Sequence, residues 1–190
     1  MKLLLASKSP RRRQLLSELG YPVEFVDVNV DEHLGEPLPA AEVAEYLARR
    51  KADAYPTEKL DGDSVLVTAD TVVVLDGKVL GKPADHKEAV LMLHRLSGLR
   101  HTVYTGVCLR SKEQQVSFTE KTDVYFRTLA DEDVEAYVER YRPYDKAGAY
   151  GIQEWIGMIG ISRIEGCYYN VMGLPLSRLY LTLRERFSSR

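Results

Sequence analysis

The amino-acid sequence predicts an α/β protein in which a mixed, twisted sheet is flanked by helices. Apolar and β-branched runs alternate with segments whose apolar residues recur at helical spacing, and glycine or proline marks the junctions. Asp76-Gly77 lies between two apolar runs and predicts a two-residue hairpin, so part of the sheet is antiparallel. No repeat, low-complexity tract or linker interrupts the 190 residues. We therefore expect a single domain over residues 1–190, although the length also suits two small lobes.

The first half of the chain begins with three leucines at residues 3–5, which predict a buried strand. Ser9-Pro10 then supplies an N-cap and a first helical position, and the helix is expected to end at Gly20. A second strand is expected at residues 23–28. Residues 40–54 place apolar side chains at helical spacing and basic side chains in the last turns, which predicts a second helix.

The second half begins with a long apolar run at residues 65–74, which predicts a central strand with Asp70 in its middle. Val79-Leu80 forms the return arm of the predicted hairpin. Glycine and proline positions divide the rest of the chain into further elements. These are helices at residues 85–96 and 131–141, strands at 103–109, 116–127 and 159–165, and a terminal helix that begins at Pro175.

The composition argues against a protein that binds nucleic acid or membranes through its overall charge. The chain has 26 Lys and Arg against 28 Asp and Glu, a net charge of -2, so no overall basic field attracts nucleic acid or an anionic membrane. Cys108 and Cys167 are the two cysteines and form no C-x-x-C pair. The N-terminus has no secretory apolar region, so we expect a cytoplasmic protein without nucleic-acid or membrane partners.

Arg11, Arg12 and Arg13 follow Ser9-Pro10 at the start of the first predicted helix. The free N–H groups of a helix start and their dipole attract anions, and arginine binds phosphate in a bidentate manner. The three arginines could instead form a solvated helix face. Cations in a first turn oppose the helix dipole, however, which favours a bound anion and in particular a polyphosphate.

Asp70 is an ionisable residue inside an apolar strand, where a fully buried, unpaired carboxylate is unfavourable. It could be a metal ligand, a general base or both, since Mg²⁺ prefers carboxylate oxygens and bridges to substrate phosphates. It could equally be a structural residue that caps a bend or pairs with an arginine. The sequence pattern leaves these alternatives open.

Weaker signals come from other polar residues. Lys51 lies near a helix C-terminus, and Lys82 lies between Gly81 and Pro83, which fix the backbone around it. Glu32 belongs to an acidic pair in a loop, where a solvated side chain is the ordinary case. Gln153 follows a segment with two glycines around Tyr150, and its amide could pair with a nucleobase edge.

Several of these segments together resemble the Maf family of nucleoside triphosphate pyrophosphatases, within the wider inosine-triphosphatase-like fold, over essentially the whole chain. The matching motifs are Ala6-Ser7-Lys8-Ser9-Pro10-Arg11-Arg12, Lys51-Ala52, Ala69-Asp70-Thr71-Val72-Val73, Gly81-Lys82-Pro83, Leu96-Ser97-Gly98, Asp145-Lys146-Ala147-Gly148-Ala149-Tyr150-Gly151-Ile152-Gln153 and Val171-Met172-Gly173-Leu174-Pro175. The resemblance implies two lobes around a substrate cleft and hydrolysis of a nucleoside triphosphate between its α and β phosphates, with a divalent cation, Mg²⁺ or Mn²⁺, as cofactor.

The resemblance also implies roles for individual residues. Asp70 would be the proton acceptor for the attacking water and, with Glu32, a metal ligand. The residues implied to hold the triphosphate are Ser7, Arg12, Lys51 and Lys82. Arg11, Thr71 and Gln153 resemble the branch that acts on dTTP and UTP rather than the branch that acts on 7-methyl-GTP.

Two features of the sequence are not explained by the resemblance. Arg13 is an additional basic residue without an assigned role, and residues 154–158 match no fixed pattern. Other functions also remain open at this point: a phosphomonoesterase or kinase, or a nucleotide-sensing regulator of cell division. The oligomeric state is open too, with a homodimer among the options.

Overall fold

A computed structural model describes residues 1–31, 33–34 and 36–187. Glu32, an expected metal ligand, lies outside the described residues. The strands are β1 Lys2–Leu5, β2 Val23–Phe25, β3 Ser64–Leu75, β4 Lys78–Leu80, β5 Arg100–Arg110, β6 Gln115–Phe126 and β7 Ile161–Glu165. The α-helices are α1 Pro10–Ser17, α2 Ala40–Asp53, α3 His86–Leu96, α4 Asp131–Tyr141, α5 Trp155–Gly160, α6 Tyr168–Met172 and α7 Leu176–Arg186, and short 3₁₀ turns lie at Thr57–Lys59 and Ala147–Ala149.

The described strands form one mixed sheet with the order β2-β1-β3-β5-β6-β7, and β4 pairs with β3. β1 runs parallel to both β2 and β3. The β3–β4 and β6–β7 pairs are antiparallel. The predicted fold class is therefore confirmed, including the hairpin, whose turn residues Asp76 and Gly77 both have positive φ angles of 48° and 73° as a type I′ turn requires.

Several element boundaries differ from the sequence-based expectation. The strand expected at residues 159–165 begins only at Ile161, because residues 155–160 form α5. β5 extends beyond the expected residues 103–109 at both ends. α1 ends at Ser17 rather than at Gly20, because the next residues form the three-residue hydrogen bonds of a 3₁₀ turn instead of α-helical ones. The Glu18 N–H donates to the Leu15 carbonyl, and the Leu19 N–H donates to the Leu16 carbonyl. β2 ends at Phe25 rather than at residue 28, because its partner strand β1 ends at Leu5, the residue paired with Phe25.

The chain forms two compact units. The first comprises the described residues of Met1–Asp70, Thr105–Glu120 and Gly173–Arg190, and the second comprises Thr71–Tyr104 and Lys121–Met172. Each unit has its own buried apolar cluster. In the first unit, Leu4, Leu66 and Cys108 pack with alanines of α2, and in the second unit Leu93 and Tyr137 are completely buried within a larger cluster.

Close packing in the first unit depends on a glycine. A Cβ atom added at Gly106 on β5 would lie 2.2 Å from the backbone nitrogen of Glu45 on α2. Only glycine allows this strand to approach the helix backbone so closely. The position of α2 against the sheet, which fixes Lys51, therefore depends on Gly106.

His101 on β5 is a buried titratable side chain in the core of the second unit. It is 2% exposed, its Nε2 atom is 2.7 Å from the Tyr150 hydroxyl, and it makes edge-to-face contacts with the rings of Tyr150 and Phe126. Burial lowers the pKa of His101 to about 4, against an opposing effect of Asp123. The imidazole is consequently neutral in the folded protein at neutral pH.

We expect His101 to make the protein less stable as the pH falls from 6.5 to about 4. In this window the unfolded chain binds a proton at the imidazole and the folded chain does not, so the free energy of unfolding decreases by up to about 3 kcal/mol. Urea unfolding at several pH values should show this decrease, and His101→Gln should remove most of it. Parallel pH profiles for the two proteins would contradict the prediction.

Candidate active site

The loop between β1 and α1 carries the predicted anion site. The Ser9 hydroxyl accepts a hydrogen bond from the Arg12 N–H at 3.4 Å, and Pro10 occupies the first turn, so the predicted N-cap is confirmed. The Ser7 hydroxyl accepts from the Ser9 N–H at 3.2 Å. Arg11 lies partly buried in the same first turn. The loop thus combines a helix N-terminus with basic side chains, an arrangement that favours a bound anion.

The Arg12 side chain connects this loop to β3. Its Nε donates to the Gly173 carbonyl at 2.8 Å and its Nη1 donates to the Ala69 carbonyl at 2.9 Å. Ala69 immediately precedes Asp70, so Arg12 fixes the backbone that carries the candidate proton acceptor. The sequence predicts only a phosphate ligand at Arg12, because a motif does not indicate hydrogen bonds from a side chain to a distant backbone carbonyl.

Two contacts of the Arg13 side chain explain why a third basic residue stands at this position. Its Nε donates to the Ser7 carbonyl at 3.0 Å, and its guanidinium lies 4.8 Å from the centre of the Phe25 ring, a cation–π distance. Arg13 therefore holds the Ser7 loop against β2. Arg13, to which the sequence assigned no role, thus stabilises the Ser7 loop within the first unit.

Lys51 and Asp70 form a salt bridge. The Lys51 Nζ lies 2.6 Å from the Asp70 Oδ1, and the side chains are 16% and 15% exposed. The Thr68 hydroxyl donates to the Ala48 carbonyl at 2.6 Å, so β3 and α2 are joined one helical turn away from this pair. The structure thereby brings together two residues that sequence reasoning selected separately.

The donor set around Asp70 is sparse for a metal site. In the described part of the chain, no group of three or more His, Cys, Asp or Glu side chains is arranged to hold a metal ion. Mg²⁺ usually binds proteins through one or two carboxylates and takes its remaining ligands from water and substrate phosphates. Among the described residues, the carboxylate of Asp70 is a donor that fits a cation bound jointly with a triphosphate.

In the second unit, Lys82 is exposed on the loop that follows β4. The preceding residue, Gly81, accepts a hydrogen bond at its carbonyl from the Gly148 N–H at 3.1 Å. Gly148 has a φ angle of +70°, and a Cβ there would lie 3.1 Å from the Val73 side chain. Glycine is therefore favoured by both the backbone conformation and the limited space. The Lys82 loop is thereby attached to the turn that leads to Gln153.

Gln153 is partly buried, and its Oε1 is a buried atom that makes no hydrogen bond within the described residues. An unpaired buried carbonyl is unfavourable and is a ready acceptor for a ligand N–H group. Thr71, also partly buried, directly follows Asp70 on β3. Of the predicted site residues that the structure describes, Ser7, Arg11, Arg12, Lys51 and Asp70 belong to the first unit, and Thr71, Lys82 and Gln153 belong to the second.

The α/β fold, the arginine-rich loop and the adjacent lysine–carboxylate pair are together typical of an enzyme that acts on phosphorylated substrates. Residues 2–186 match the family model described as Maf-like protein. The chain belongs to the Maf family, as its motifs indicate.

Curated relatives support this assignment over almost the full length. The chain is 52% identical to a dTTP/UTP pyrophosphatase of Bacteroides thetaiotaomicron over 186 residues, which cover 97% of this chain and 95% of that protein. It is 50% identical to a dTTP/UTP pyrophosphatase of Porphyromonas gingivalis over 188 residues, which cover 97% and 94%.

The solved structure of the Staphylococcus aureus Ham1 protein has a similar fold. It matches 97% of this chain and 99% of its own chain with a TM-score of 0.57 and 14% sequence identity. At this identity the likeness concerns the fold alone, and it agrees with the predicted mixed α/β architecture. None of the helices in the described part of the chain has the length and apolar character that a membrane span requires.

Proposed function

We propose that this protein hydrolyses dTTP and UTP to the corresponding monophosphate and pyrophosphate, as a housekeeping enzyme of the nucleotide pool. The observation that carries the proposal is the near full-length identity of about half the residues to proteins named dTTP/UTP pyrophosphatase. The proposal includes a cytoplasmic location and no nucleic-acid or membrane partner, in line with the nearly balanced charge.

In the proposed mechanism, Asp70 accepts a proton from a water molecule as the water oxygen attacks the α-phosphorus. The bond between that phosphorus and the bridging α–β oxygen breaks, and pyrophosphate leaves with the bond electrons. Lys51 orients the Asp70 carboxylate through their salt bridge. The ammonium group of Lys51 has three donors, so the same residue can also contact a phosphate oxygen.

The triphosphate is proposed to bind Ser7, Arg12, Lys51 and Lys82. Arginine and lysine neutralise the phosphate charges, and the positive end of the α1 helix dipole adds to this attraction. Asp70 and Glu32 would hold Mg²⁺ or Mn²⁺ together with the substrate. Such a cation supplies charge neutralisation on the phosphates.

Product analysis tests the reaction. The purified protein with Mg²⁺ or Mn²⁺ is incubated with dTTP or UTP, and the initial products are separated and identified. We expect the monophosphate and pyrophosphate in equal amounts, and we expect EDTA to stop the reaction. A diphosphate and orthophosphate as initial products would instead assign the chain to another class of phosphate-releasing enzyme.

The base preference is a separate prediction that rests on Arg11, Thr71 and Gln153. A uracil or thymine edge presents two carbonyl acceptors on either side of one N–H donor, and the unpaired Oε1 of Gln153 is suited to accept from that N–H. Cytosine replaces the N–H by an acceptor and one carbonyl by an amino group. Unpaired buried polar groups cost about 1 to 3 kcal/mol each, so kcat/KM for dTTP and UTP should exceed that for CTP by at least about tenfold.

A comparison of dTTP, UTP, CTP and 7-methyl-GTP under identical conditions measures this preference. Faster hydrolysis of CTP or 7-methyl-GTP than of dTTP and UTP would refute the base assignment. That result would not affect the separate prediction that the enzyme releases pyrophosphate.

A further inference from the structure

Glu154, directly after Gln153, belongs to the segment that the family resemblance leaves unexplained. Its side chain is 18% exposed, and the Lys146 Nζ lies 3.3 Å from its Oε1. The hydroxyl of the completely buried Tyr137 donates to its Oε2. A carboxylate that is largely buried and bound by an ammonium group and a hydroxyl is held in one position.

The same network includes the backbone just before Gln153. The Gly151 N–H donates to the Tyr137 hydroxyl oxygen at 3.1 Å, and the Glu154 N–H donates to the Gly151 carbonyl at 3.0 Å. Tyr137 therefore binds both ends of the turn formed by residues 151–154. Burial raises the pKa of Tyr137, and the hydrogen bond to Glu154 raises it further, so the hydroxyl remains a donor.

Gly151 allows the side chains of the turn to lie against the backbone. A Cβ at this position would lie 2.8 Å from the Glu154 Cδ and 3.0 Å from the Gln153 Nε2. The Gln153 amide and the Glu154 carboxylate thus occupy neighbouring places over the same glycine. The turn that holds the carboxylate in place therefore also places the amide.

We propose that Glu154 is a positioning residue for base selection, which acts by fixing the turn at residues 151–154 and with it the Gln153 amide. This inference rests on the proposed function, because it assigns Gln153 to the nucleobase. Lys146 and Tyr137 are its partners in this role. An amide that is free to rotate can present its N–H₂ group in place of its carbonyl oxygen, and such an amide distinguishes uracil from cytosine less well.

Glu154→Gln tests the role with little change in shape. The amide accepts hydrogen bonds at one oxygen only, so its nitrogen would face the donor of either Lys146 or Tyr137. We expect the ratio of kcat/KM for UTP to kcat/KM for CTP to fall by about three- to tenfold, mainly through loss of activity on UTP. The two substrates share ribose and triphosphate, so general damage to the fold or to phosphate binding would lower both values equally.

Tyr137→Phe is the second variant, since it removes the hydroxyl that binds both Glu154 and Gly151. It should lower the same ratio, and the double variant should lower it by less than the product of the single effects. Tyr125→Phe is the matched control. The Tyr125 hydroxyl also donates to a glutamate, Glu165, at 3.0 Å in an exposed hydrogen bond between β6 and β7, and its loss should leave the ratio unchanged.

Equilibrium binding of UMP and CMP to the same proteins provides a readout that does not require hydrolysis. We expect Glu154→Gln to lower the preference for UMP by a similar factor. Unchanged ratios in folded variants, or a parallel loss for both bases, would overturn the inference and leave Glu154 with a purely structural role. Failure of the unmodified protein to release pyrophosphate from UTP would refute the proposed function, and the binding ratios would still decide the role of Glu154.

Discussion

Asp70→Asn is expected to lower kcat for dTTP by about two to four orders of magnitude. The asparagine keeps the shape of the side chain but cannot accept a proton, and removal of a positioned general base typically has an effect of this size. The loss would be larger if the cation also binds less tightly, because an amide is a weaker ligand than a carboxylate. Steady-state kinetics at saturating Mg²⁺ and dTTP measure the change.

The fold of Asp70→Asn should persist, because the amide oxygen can still accept a hydrogen bond from Lys51. Asp123→Asn is a matched control. Asp123 is also a buried carboxylate, accepts from the Thr102 hydroxyl at 2.6 Å and lies 3.4 Å from the Lys121 Nζ. Its replacement should lower stability and leave kcat nearly unchanged. An unchanged kcat in a folded Asp70→Asn protein would mean that Asp70 is a structural residue.

Local signals in the sequence were sufficient for much of the fold. Helix α4 spans the predicted residues Asp131–Tyr141, and Ser9 is the predicted N-cap of α1. These features depend on residues close together in the chain, where capping and periodicity operate. Helices α5 and α6 were not predicted because they have only six and five residues, too few for a helical repeat to be visible.

Contacts between distant residues explain what the sequence could not predict about the candidate site. Lys51 and Asp70 were selected from separate motifs, and their salt bridge depends on how α2 packs against β3. The contact between Glu154 and Tyr137 likewise joins a turn to a helix. Nothing in the sequence near Glu154 or near Tyr137 indicates that the two residues contact each other.

Arg12 had a clear local signal, but the structure gives it a second task. The sequence indicated a phosphate ligand at a helix start. The side chain also donates to the carbonyls of Ala69 and Gly173 at 2.9 and 2.8 Å. A residue with both tasks affects substrate binding through its charge and the reaction step through the position of Asp70. The two effects can be separated kinetically.

We expect Arg12→Ala to lower kcat/KM for dTTP by about 10²- to 10³-fold, since hydrogen bonds to charged groups contribute about 1.5 to 3 kcal/mol each and more than one is lost. Both a higher KM and a lower kcat should contribute. Arg12→Lys should restore much of KM but little of kcat, because lysine supplies the charge but cannot bridge two carbonyls with a planar fork.

Arg178→Ala is the matched control, as the Arg178 Nη1 also donates to a backbone carbonyl, that of Thr119 at 2.7 Å. That variant should leave kcat within about twofold of the unmodified protein, since neither Arg178 nor Thr119 adjoins a proposed site residue. If Arg12→Ala raises KM and leaves kcat unchanged, Arg12 only binds phosphate, and its bond to the Ala69 carbonyl does not position Asp70 for the reaction.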